Sequence, residues 1–92
     1  MNTKDYQEFC SKGLKKGNDL ITFMLGLGGE AGECLDIVKK ARRDQKPIDC
    51  NHLMEELGDV CWYVANICSS LNISIDTILE MNVAKLKERY KL

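Results

Sequence analysis

Residues 26–40 read GLGGEAGECLDIVKK, and the fold turns on whether this stretch is a glycine-rich loop or a helix. Four glycines fall in its first seven residues, and each costs a helix interior about 1 kcal/mol against alanine. Apolar residues nevertheless recur through it at helical spacing: Leu27, Ala31, Cys34, Leu35 and Val38. Leu20 and Met24 extend the stripe backwards and Ala41 extends it forwards. The reading is therefore one helix, capped by Asn18 or Asp19 and running to about Arg43. Gly26, Gly28, Gly29 and Gly32 then serve to let a neighbouring helix or a ligand approach the backbone.

The rest of the chain follows the same period. A first helix is expected from about Thr3 to Lys16, with Tyr6, Phe9, Cys10 and Leu14 on one side and Gly17 as its stop. After the turn DQKP, Asp49 caps a third helix whose inward residues are Leu53, Leu57, Val60, Cys61, Val64, Ile67, Cys68 and Leu71. LNIS breaks the pattern, and Ser74 caps a fourth helix carrying Ile75, Ile78, Leu79, Val83, Leu86 and Tyr90. Strand signals are scarce, so the class is all-α. Short connections imply antiparallel neighbours and a small four-helix bundle spanning residues 1–92 as one domain. A core this thin is readily completed by self-association.

Composition excludes several classes. With 13 basic and 14 acidic residues the net charge is −1, which argues against a nucleic-acid binder. The basic cluster Lys39–Arg43 fits a helix end favoured by the dipole. No apolar run approaches a membrane span, and MNTKDYQEFC lacks the apolar core of a signal peptide, so a cytoplasmic location is expected. The five cysteines, Cys10, Cys34, Cys50, Cys61 and Cys68, form no C-x-x-C, and at least four read as small buried apolar residues.

The chemistry lies in the acids. At about 100° per residue, Glu30 and Glu33 fall on one flank of the second helix, and Glu56 and Asp59 fall at nearly the same angles on the third. A shift of 26 residues superimposes Leu27 on Leu53, Glu30 on Glu56, Gly32 on Gly58, Glu33 on Asp59 and Val38 on Val64. The two pairs are offset by roughly 4–5 Å along the hairpin, within reach of glutamate side chains. Four converging carboxylates stay ionised only beside a cation, and all-oxygen ligation suits Mg²⁺ or Mn²⁺ over zinc. The bland alternative is a set of solvated acids on helix faces. A ferritin-like di-iron site needs E-x-x-H, and His52, the single histidine, does not follow a glutamate at that spacing. On the fourth helix Asn82, Lys85 and Arg89 lie within about 60° of one another, a cationic ridge suited to phosphates. An ordinary charged flank is the plain reading of that ridge.

LGLGGEAGECLDIVKK (25–40), LMEELGDVCWYVANI (53–67) and NVAKLKERY (82–90) together resemble the MazG-like all-α nucleoside triphosphate pyrophosphohydrolases, over about residues 20 to 90. That family's E-x-x-E followed by E-x-x-D is matched by Glu30, Glu33, Glu56 and Asp59. The resemblance implies Mg²⁺-dependent hydrolysis between the α and β phosphates of a nucleoside triphosphate, giving a monophosphate and pyrophosphate. It also implies a helical bundle completed by other copies, as homodimer or homotetramer. On this reading the four acids hold the metal, and Glu33 or Glu30 takes a proton from water. Lys85 and Arg89 offset charge on the departing pyrophosphate, with Asn82, Lys39 and Tyr63 as further substrate contacts. Trp62 points away from its helix's stripe and reads as packing, with a subunit interface as the functional alternative, and His52 is expected at the surface. A related enzyme acting on phosphoribosyl-ATP and a non-catalytic nucleotide-binding module are the competing readings.

Overall fold

The computed structural model describes residues 1–14 and 19–92. They form four helices: α1 (Thr3–Ser11), α2 (Leu20–Arg43), α3 (Cys50–Ser70) and α4 (Ile75–Tyr90). The expected all-α class holds. No helix among the described residues is long and apolar enough to cross a membrane.

Side-chain caps open the helices as their residue types require. Asn2 accepts from the Asp5 N–H at 2.8 Å, Asp19 from the Thr22 N–H at 2.9 Å and Asp49 from the His52 N–H at 3.1 Å. Ser74 occupies the N-cap position of α4 without a side-chain bond to its backbone. Gln45, Asn72 and Lys91 adopt left-handed backbone after α2, α3 and α4. In each case the next N–H reaches back to close the last turn: Lys46 to the Ala41 carbonyl at 2.9 Å, Ile73 to Cys68 at 3.0 Å, Leu92 to Lys87 at 3.1 Å.

Helix α1 ends earlier than expected. Residues 12–14 form a turn, and the positions proposed for its extension and stop, Lys15 to Gly17, lie outside the described residues, as does Asn18. Ser11 turns its hydroxyl back to the Glu8 carbonyl at 2.7 Å, a competing local bond. Gly13 then passes over the indole of Trp62, where a Cβ would fall 3.0 Å from the ring.

Helix α2 packs along α3, while α1 crosses the C-terminal half of α3. Cys10, Ala65, Cys68 and Ile75 form the buried cluster, flanked by Tyr6, Trp62, Val64, Ile73 and Ile78. Gln7 ties α4 to the others. Its amide donates to the Ser69 hydroxyl at 3.1 Å and the Ile73 carbonyl at 2.9 Å, and its carbonyl accepts from the Ile75 N–H at 2.9 Å. Beyond its first turns α4 runs free, with no packing against α2 among the described residues. The radius of gyration is 15.6 Å, against about 12 Å for a compact chain of this length. The four expected helices are present, but within one chain they do not close into a bundle.

The buried stripe of α2 is rotated from the expected one. Phe23 is buried, and Gly26, Leu27, Glu30, Cys34, Ile37 and Ala41 are half-buried. Leu20, Met24, Leu35 and Val38, expected inward, are exposed. The rotation amounts to roughly 70°, and α3 turns in the same sense, exposing Leu57 and Cys61 while drawing in Glu56 and Tyr63. Aromatic area explains the outcome, since rings bury more surface than the aliphatic residues they displace. Phe23 meets Trp62 edge-on at 6.0 Å, and Trp62 meets Tyr63 at 5.0 Å. Trp62 therefore packs inside the chain, as the packing reading expects, rather than marking a subunit interface. The cysteine reading is corrected too: Cys10 and Cys68 are buried, Cys34 is half-buried, Cys50 and Cys61 are exposed, and all are free.

Gly26 makes this rotation possible. A Cβ there would fall 2.1 Å from Cε1 of Tyr63, whereas Gly28, Gly29 and Gly32 face open space. Gly26→Ala sets a propensity gain of about 1 kcal/mol against overpacking of about 1–3 kcal/mol. Net destabilisation is expected, read as a lowered urea midpoint. Gly28→Ala should raise that midpoint, because only the propensity term acts.

Candidate metal centre

The rotation places Glu30 in the α2–α3 seam, one helical turn before Cys34 and across from Glu56. One carboxylate oxygen from each of Glu30, Glu56 and Asp59 can be chosen so that all three lie within 4.8 Å of one another. Glu30 and Glu56 are half-buried and Asp59 is exposed, so the cluster opens to solvent on the Asp59 side. Such a donor set is purely oxygen, which suits a hard divalent cation.

The electrostatics support that fit. Hydrogen bonding to Glu56, then burial, then repulsion from Glu56, Asp59 and Glu33 push the Glu30 carboxyl up from its ordinary 4.5 to about 7. Its Oε2 atom is buried with no hydrogen-bond partner. A buried carboxylate oxygen without a donor is costly, and a cation relieves both the missing partner and the repulsion. Burial, followed by the charges of Glu56, Glu30 and Asp59, also pushes the Cys34 thiol up, keeping it protonated beside the acids. Tyr6 brings α1 to the same edge, its hydroxyl 3.5 Å from the Gly58 carbonyl.

The other residues singled out in the sequence are placed differently. Glu33 is exposed and outside the three-acid cluster, lining an open cavity at the α2–α3 turn. Asn82, Lys85 and Arg89 are exposed on α4, which does not pack against α2. Lys39 is exposed, and its neighbour Lys40 lines the cavity instead. Tyr63 fills the space over Gly26, so its ring serves the helix packing.

Two contacts escaped the sequence reading. His52, at the surface as expected, reaches Glu56 Oε1 with its Nε2 at 3.4 Å. The H-x-x-x-E spacing at i, i+4 is the signal that could have found it. Cys34 is more than a packing residue: four residues after Glu30, it sits beside the acids.

Comparison with known proteins adds the family. The MazG nucleotide pyrophosphohydrolase domain matches residues 19–92. The chain is also similar to the Gene 37 protein of Mycobacterium phage L5, 41% identical over a 69-residue alignment covering 71% of this chain and 60% of the phage protein. The chain thus spans about 60% of the length of that relative. No solved structure gives a significant match.

The raised Glu30 carboxyl has a definite consequence for the metal-free protein. A carboxyl that titrates higher folded than unfolded binds more protons in the folded state, so stability falls as pH rises from about 4.5 to about 7. Glu30→Gln should remove this loss and make the metal-free protein more stable than wild type at pH 8. Urea unfolding of both proteins at pH 5 and pH 8 measures it, and added Mg²⁺ should stabilise only the wild type at the higher pH.

Proposed function

The chain belongs to the MazG nucleotide pyrophosphohydrolase family, and from that premise we propose that it hydrolyses the α–β phosphoanhydride of nucleoside and deoxynucleoside triphosphates. The products are a nucleoside monophosphate and pyrophosphate. The observation that carries this reading is the convergence of Glu30, Glu56 and Asp59 around the partnerless Glu30 Oε2.

Glu30, Glu56 and Asp59 would hold Mg²⁺, or Mn²⁺ in its place, which when bound supplies Lewis-acid polarisation of the phosphoryl oxygens. Glu33 is the preferred general base over Glu30. It is exposed and outside the cluster, so its carboxylate stays available to take the proton of the attacking water. The water oxygen bonds to the α phosphorus, the bridging bond to the β phosphate breaks, and pyrophosphate leaves. His52 orients Glu56 from one turn back.

Lys85 and Arg89 make no ion pair among the described residues and are free to offset charge on the leaving pyrophosphate, with Asn82 beside them. Because α4 stands away from α2, they act in a homodimer or homotetramer, where α4 of one copy lies over the hairpin of another. Two apolar faces support this assembly: Ile21, Leu25 and Leu35 on α2, and Leu79, Val83 and Tyr90 on α4, all exposed in the single chain.

Replacing Glu56 with Gln should reduce Mg²⁺-dependent pyrophosphate release by roughly 100-fold or more while leaving the circular dichroism unchanged. Retained activity would remove Glu56 from the metal site.

For the assembly, light scattering of the purified chain should give at least a dimer, and Leu25→Glu should shift it towards monomer. A monomeric wild type at micromolar concentration excludes the arrangement.

A further inference from the structure

An open cavity of about 330 Å³ lies at the α2–α3 turn and adjoins the acid cluster. Its wall carries Glu33, one turn beyond Glu30 on α2, and His52, which reaches Glu56 of the cluster at 3.4 Å. From Glu33 to Asp44 it follows α2 for roughly 16 Å. Its volume is at the lower end for small-molecule sites, enough for a nucleoside and small for a whole nucleotide.

The lining selects what can enter. Ile37, Ala41 and Pro47 provide an apolar surface. Most of the surrounding charge is already engaged. Lys40 holds Asp36 at 2.9 Å, Arg43 grips Asp44 at 2.9 and 3.1 Å, and Asp49 is spent on capping α3. With Asp36 and Asp44 paired to Lys40 and Arg43, Glu33 and Asp49 remain against Lys46, an acidic balance that disfavours phosphates and admits an uncharged group. Lys46 is the lining cation without an ion-pair partner among the described residues. Its backbone is pinned by the N–H bond to the Ala41 carbonyl at 2.9 Å, so it sits at a fixed place on the rim.

We propose that this cavity is the nucleoside pocket, with the base against Ile37, Ala41 and Pro47 and the triphosphate directed to Glu30, Glu56 and Asp59. Lys46 reads the base. An ammonium donates and cannot accept, so it favours a base that presents a carbonyl oxygen at its edge. This assignment rests on the proposed reaction only for the placement of the phosphates.

The test is a calorimetric titration of wild type, Ala41→Phe and Lys46→Ala with Mg²⁺ complexes of two kinds of probe. The first kind is the α,β-methylene triphosphates of guanosine, uridine and adenosine. The second is inorganic triphosphate. Ala41→Phe fills the pocket and should weaken every nucleoside analogue at least tenfold while leaving inorganic triphosphate within twofold. Exposed Lys46 is the safer change for folding. Its replacement should erase a wild-type preference of guanosine and uridine over adenosine and leave inorganic triphosphate unaffected. The pocket is overturned if both variants keep all nucleoside affinities within twofold, or if they weaken inorganic triphosphate equally. Nucleoside-dependent binding without pyrophosphate release from ordinary triphosphates defeats the proposed reaction and leaves the pocket standing. Pyrophosphate release with binding indifferent to both substitutions does the reverse, and failure to bind any nucleotide overturns both.

Discussion

The rotation of α2 against α3 is set by aromatic packing, and the rest of the molecule depends on it. Phe23, Trp62 and Tyr63 form a chain of edge-on rings, and Tyr63 sits where any side chain at position 26 would have to be. Once those rings are buried, each helix has one orientation left. That orientation carries Glu30 and Glu56 from the flanks into the seam, where burial and mutual repulsion act on them. An apolar arrangement of the same helices would be more comfortable electrostatically. The aromatic core holds the acids together in spite of their charge, which is the state a cation-binding site requires before the cation arrives.

Much of this was legible in the sequence, and the failures have a common cause. The bounds of α2, the caps Asp19 and Asp49 and the matched phase of Glu30 with Glu56 follow from period and residue type. The face turned inward did not follow, because α2 has two apolar faces. Counting aliphatic residues favours Leu20, Met24, Leu35 and Val38, while Phe23 alone marks the face that α3 covers. Periodicity weighs positions equally, whereas buried area weighs them by size. The second face is apolar as well and stays open in the single chain, so the sequence carries two overlapping patterns.

The same ambiguity limits the site. Glu30, Glu56 and Asp59 meet because both helices turn in the same sense, a shared error that preserves their relation. Glu33 lies one turn further out and separates from them. Asn82, Lys85 and Arg89 share a face of α4, as spacing alone indicates, but where that face points depends on tertiary contacts no helical wheel contains. His52 is legible as an i, i+4 partner of Glu56, but only the inward turn of Glu56 makes that contact part of the site.

Gln7 gives this architecture an unexpected division of labour. The segment shared with the family begins at residue 19, yet the side chain that fixes where α4 departs belongs to α1, outside that segment. The acid-bearing hairpin and α4 thus lie inside the matched segment, while the side chain that fixes where α4 departs lies outside it. A change at Gln7 would re-aim α4 without altering a single residue of the matched segment, so the direction of the charged helix is set from outside the hairpin that carries the acids.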